Sequence, residues 1–120
     1  MATINIYVSR VGNSSNIKLQ DSEGHNPGND NITTTVNTGD VLVWQLDQNS
    51  GLASLDGVRM KSDSQNNLLV NIIPSGTNQF TATVVGTSPG VGKFETYQIG
   101  YKVPGNGTII WDDPKLQMNN

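Results

Sequence analysis

The chain has 120 residues, no Cys and a formal charge of −3, which fits one domain, residues 1–120, with a core large enough to need no disulfides. Without Cys there is no zinc–thiolate site, no thiol nucleophile and no thiolate-bound copper. The seven Lys and Arg are scattered, so the basic patch that nucleic acid demands is missing.

Read in chain order, apolar residues recur with period two, between clusters of Gly, Pro, Asn and Asp. Ile4, Ile6 and Val8 alternate with Asn5 and Tyr7; Gly12 to Ser15 reads as a turn and Ile17 to Leu19 as a short strand. Residues 21–31 form a polar loop, followed by alternation at Ile32, Thr34 and Val36 and a tight connection at residues 37–40. Asp40 to Asp47 is the strongest strand pattern, with Leu42, Trp44 and Leu46 sharing one face. Leu52 to Lys61 is strand-like but interrupted by Asp56-Gly57, a hairpin or bulge signal. Leu68, Val70 and Ile72 predict a short strand that residues 74–76 end, and Phe80, Ala82 and Val84 another. Tyr97, Ile99, Tyr101 and Val103 line one face of the last long strand. Residues 104–107 turn it onto Thr108 to Trp111, residues 112–114 break that strand, and Lys115 to Met118 resume it.

This spacing predicts an all-β chain: a single antiparallel Greek-key β-sandwich, cupredoxin-like or immunoglobulin-like, of about eight strands. The expected core is Ile6, Val8, Val36, Leu42, Trp44, Leu46, Val58, Val70, Ile72, Phe80, Val84, Tyr97, Ile99 and Val103.

Candidate chemistry is sparse. The single His, His25, has no nucleophile signature to serve, so no Ser- or Cys-based catalytic set can be assembled. Around it, Asp21, Glu23 and Asp30, with Asn26 and Asn29, offer the hard oxygen ligands that calcium takes, though not at EF-hand spacing. Asp112 and Asp113 are paired carboxylates, but neighbours on a strand point to opposite faces and cannot flank one bond. Trp111 could instead stack on a sugar ring while Asn106 and Asp113 bond its hydroxyls. No catalytic residue and no required cofactor is therefore assigned, and the protein is expected not to be an enzyme.

Val36-Asn37-Thr38-Gly39-Asp40-Val41-Leu42-Val43-Trp44 resembles the strand opening of cupredoxin-like β-sandwich domains. Tyr97 to Val103 followed by Trp111-Asp112-Asp113-Pro114-Lys115-Leu116-Gln117-Met118 resembles the closing hairpin of small bacterial members of that group. A similar pair of motifs occurs in PixA/AidA-type inclusion-body proteins. The resemblance implies a sandwich scaffold but not electron transfer, because a blue-copper site needs two His and a Cys. The likeness to inclusion-body proteins implies a chain that packs against copies of itself.

Two functional expectations stand side by side. One is a non-enzymatic bacterial structural protein that self-associates through sheet edges or a sheet face. It draws on Thr33, Thr35, Val41, Val43, Thr81, Thr83 and Val85 and on the lack of Lys to guard edges. The other is a lectin-like module that binds a glycan at Asn106, Trp111 and Asp113, with calcium assisting. Neither involves nucleic acid or membrane insertion. The start MATINIYV reads as a strand rather than a signal peptide, so the expected location is cytoplasmic or exported by another route.

Overall fold

The computed structural model describes residues 2–120. The strands are β1 (Thr3–Arg10), β2 (Ile17–Asp21), β3 (Thr33–Val36), β4 (Val41–Leu46), β5 (Ser54–Met60), β6 (Leu69–Gly76), β7 (Gln79–Val84), β8 (Phe94–Lys102), β9 (Ile110–Asp112) and β10 (Lys115–Met118). No helix long and apolar enough to cross a membrane occurs among the described residues. The all-β expectation holds, with ten strands rather than about eight.

The strands form two five-stranded sheets, in the orders β2-β1-β4-β7-β6 and β3-β10-β8-β5, with β9 paired to β8 beside β10. The expectation of a purely antiparallel arrangement is corrected. β1 runs parallel to β4 from Thr3↔Val41 to Val8↔Leu46, and β10 runs parallel to β3 from Lys115↔Thr33 to Met118↔Val36. Alternation reports which face a residue takes and carries no information on strand direction. The direction follows from the path: the chain leaves β1, forms β2 on its outer edge, crosses to lay down β3 in the other sheet, and only then returns as β4.

The inner faces of both sheets meet in one apolar cluster. Trp44 of β4 and Tyr97 of β8 are its largest members, both 0% exposed. The Trp44 indole Nε1 donates to the Tyr97 hydroxyl at 3.0 Å, and the rings meet edge to face at 5.5 Å. Such a pair is worth about 0.5–1.5 kcal/mol beyond the area it buries. At one end of the core the Tyr101 hydroxyl donates to the Ser15 carbonyl at 2.7 Å, tying β8 to the β1–β2 turn.

Of the expected core, Val70 is misplaced: it is 42% exposed, whereas Leu68 and Leu69 are buried. The register of β6 against β7 shifts between Val70 and Ile73, with Asn71 at φ 54°. A bulge consumes an extra residue and breaks the parity on which the expectation rested. The Asp56-Gly57 signal is likewise a bulge, between Leu55 and Gly57.

Gly57, at the end of that second bulge, belongs to the outer face of the second sheet. Trp111 lies across Gly100 and Gly57: a Cβ on Gly100 would stand 2.7 Å from the ring, and one on Gly57 3.0 Å. Gly100→Ala should therefore lower stability by about 1–3 kcal/mol through overpacking, measured by chemical denaturation. Gly86→Ala, where a Cβ meets nothing within 4 Å, should leave the midpoint almost unchanged.

Candidate functional site

The seat of Trp111 organises a polar strip across the second sheet. Two glycines form the floor under the indole, and the Arg59 guanidinium lies over the ring, 3.5 Å from its centroid. Arg59 Nε donates to Gln98 Oε1 at 2.9 Å, Gln98 Nε2 donates to Asp113 Oδ1 at 2.9 Å, and Lys61 Nζ meets Asp113 Oδ2 at 3.2 Å. Cross-strand register places these groups side by side, with Arg59 opposite Gln98 and Gly57 opposite Gly100. The hydrogen bond and charge of Asp113 hold the Lys61 ammonium above its ordinary pKa.

Trp111 and Asp113 thus share a face. Asn106 is not part of their network: it lies in the β8–β9 turn, where its side-chain oxygen accepts from the Thr108 backbone N–H at 3.0 Å. Both faces of the Trp111 ring are covered, so a sugar would stack there only after Arg59 swung away. Arg59, Gln98 and Lys61 gave no motif signal; only a cross-strand register identifies them.

At the end of this strip, where β5 stops at Met60, loop 61–67 takes over the flank of β8. Ser64 Oγ accepts from the Thr96 backbone N–H at 3.1 Å and donates to the Asn66 carbonyl at 2.9 Å. Beside the loop lies a pocket of about 300 Å³, walled by Lys61, Phe94, Thr96 and Lys115 with loop residues Asp63, Ser64 and Gln65.

The three candidate calcium carboxylates do not converge. Asp21 and Glu23 come together with His25, their ligand atoms within 4.8 Å of one another. The Asp21 side chain is fully buried and already committed. Its Oδ1 accepts from the backbone N–H of Glu23 and of His25, both at 3.0 Å. Its Oδ2 accepts from the Thr34 hydroxyl at 2.7 Å and lies 2.8 Å from His25 Nδ1. An ionised carboxylate only accepts, so His25 donates from Nδ1. With these lone pairs occupied, Asp21 serves to close loop 21–30 onto β3. Glu23 adds to the closure, accepting from the Thr35 backbone N–H and hydroxyl, each at 3.0 Å.

Asp30 goes elsewhere, to Asp112. Burial, then the hydrogen bond and charge of Asp30, push the Asp112 carboxyl up to about 7. Asp112 and Asp113 do part to opposite faces, as alternation required: Asp112 to Asp30, Asp113 to Lys61. Tyr101 feels the same site, its phenol pushed up to about 12 by burial and by both carboxylates.

Glu95 is a further buried acid, 0% exposed. Its Oε1 accepts from the backbone N–H of Leu68 at 2.6 Å and of Leu69 at 3.1 Å, while Oε2 has no partner. Desolvation raises its pKa. It stands in the inward phase of Tyr97 and Ile99, the signal that could have placed it.

No family model and no curated protein matches this sequence. Among solved structures, a cysteine protease inhibitor from Entamoeba histolytica aligns over 75% of this chain and 88% of its own, at 16% identity and a TM-score of 0.39. A likeness of that extent carries no argument about what this chain does.

The raised Asp112 carboxyl has a consequence for stability. A carboxyl whose folded pKa exceeds its unfolded value stabilises fully below the unfolded value of 3.8, and the contribution is lost as pH rises through about 7. Glu95 acts in the same sense. Thermal midpoints should therefore fall as pH rises through that window, and Asp112→Asn should flatten the slope, with the larger Tm gain at the alkaline end.

Proposed function

We propose that the chain is a non-enzymatic structural protein that associates with copies of itself through the outer face of its first sheet. The observation that carries the reading is the charge content of that face. Cross-strand register sets Thr3, Asn5 and Tyr7 of β1 beside Val41, Val43 and Gln45 of β4, then Thr81 and Thr83 of β7, then Val70 and Ile73 of β6. No Lys, Arg, Asp or Glu stands among them, the charge of Lys18 lying on edge strand β2, and Ile73 is 54% exposed. A water-facing sheet commonly alternates apolar residues inward with polar ones outward. Here half-buried Val41 and Val43 occupy the centre of the outward side.

The face supports association better than the edges do. Edge strand β6 carries Pro74 and two register shifts, β5 carries a bulge, β3 has only four residues, and β2 presents Lys18. Each of these features discourages edge-to-edge pairing. The residues expected to mark one associating surface divide: Val41, Val43, Thr81 and Thr83 share this face. Thr33 and Thr35 lie in the other sheet, and Val85 packs against the core.

The reading is tested by light scattering after size exclusion over a range of concentrations. The untagged chain should form a dimer or larger species, and the double variant Val43→Lys with Thr81→Lys should be monomeric. Thr33→Lys, in the other sheet, should assemble as the parent does. A parent that stays monomeric at millimolar concentration would sink the proposal.

A further inference from the structure

The pocket between loop 61–67 and the second sheet has a chemistry that self-association does not use. Two ammonium groups face it, in unlike states. Lys61 is neutralised by Asp113 at 3.2 Å and Asp63 at 3.6 Å. Lys115 forms no ion pair among the described residues, although the chain carries a net charge of −3. Register places Lys115 directly opposite Thr96, and both residues line the pocket. Phe94, two residues along the same face of β8, is 45% exposed. Asp63, Ser64 and Gln65, on the loop side, complete the wall.

The pocket thus combines the Lys61–Asp63 ion pair, one uncommitted cation, one exposed aromatic ring, and hydroxyl and amide groups. We infer that it binds an acidic sugar unit, with the carboxylate on Lys115, the apolar face of the sugar ring on Phe94, and ring hydroxyls within reach of Thr96 and Gln65. The volume of about 300 Å³ sits at the lower end of small-ligand pockets, about 300–1,000 Å³, which suits a single ring rather than an extended chain. A neutral sugar leaves Lys115 unpaired, and a simple anion leaves Phe94 bare. A uronate uses both, and its ring hydroxyls also use Thr96 and Gln65.

The Lys61–Asp113 contact at 3.2 Å ties the start of loop 61–67 to the end of the Arg59–Gln98–Asp113 strip. Because the pocket lies on the second sheet, it is available whether or not the first sheet is engaged by another copy. The outcome for the sugar is thereby separable from the outcome for assembly.

The experiment is titration calorimetry of the full chain with glucuronic acid and, separately, glucose and acetate. Binding of glucuronic acid is expected to be at least about tenfold tighter than that of either fragment, the factor that 1.4 kcal/mol represents. Lys115→Gln should remove that preference and bring glucuronic acid to the level of glucose. Phe94→Ala should weaken glucuronic acid while leaving acetate unchanged. Both positions are exposed, so thermal midpoints should match the parent, and Lys18→Gln, in the first sheet, should bind as the parent does. Equal binding of glucuronic acid and glucose would overturn the inference. So would the absence of any heat with glucuronic acid at millimolar concentration, or a preference that survives Lys115→Gln.

Discussion

The hydrogen bond from the Trp44 indole to the Tyr97 hydroxyl is the joint on which the two sheets depend. Both groups are fully buried, and a buried donor without a partner costs about 1–3 kcal/mol. The indole in one sheet and the phenol in the other therefore satisfy each other only when β4 and β8 face each other at the observed offset. Apolar contacts alone tolerate sliding, whereas a directed bond does not. Burial also pushes the Tyr97 phenol well above its ordinary range, which keeps it protonated.

Around that joint, buried carboxyls close the loops. Asp40 Oδ2 accepts from the Asn37 backbone N–H and Oδ1 from that of Ala2, both at 2.8 Å, joining the tight turn before β4 to the start of β1. Asp21 performs the same task for loop 21–30, and Glu95 for the entry to β6. Each takes backbone N–H groups that no ladder reaches, and buried N–H groups must be paired somewhere. Acidic residues that look in the sequence like ligands or catalysts are in these places parts of the scaffold.

The outer faces then diverge. Strands β1, β4, β7 and β6 of the first sheet turn Thr, Val, Asn and Gln outward, with Lys18 on edge strand β2, while the second sheet carries the Trp111–Arg59–Gln98–Asp113–Lys61 strip and the pocket beyond it. The strip relies on two residues without side chains, because only a glycine floor lets the indole lie flat across β8 and β5. The inner faces are occupied by the core, and the two outer faces are chemically distinct.

The amino-acid sequence by itself determined the all-β class, most strand positions and the inward phase of Ile6, Val8, Leu42, Trp44, Tyr97 and Ile99. Alternation with period two, set against turn residues, reports burial directly. Asp56-Gly57 announced its bulge, and Asp112 and Asp113 their opposite faces. Only the tertiary structure decided the two parallel pairings, because side-chain alternation is blind to strand direction. It also decided the slip that exposes Val70 and the partners of the acids. Asp30 meets Asp112, and Asp113 meets Lys61, across separations that no local pattern encodes. Glu95 marks the boundary between the two: its parity pointed inward, but its bonds to Leu68 and Leu69 exist only once the second sheet has closed over the first.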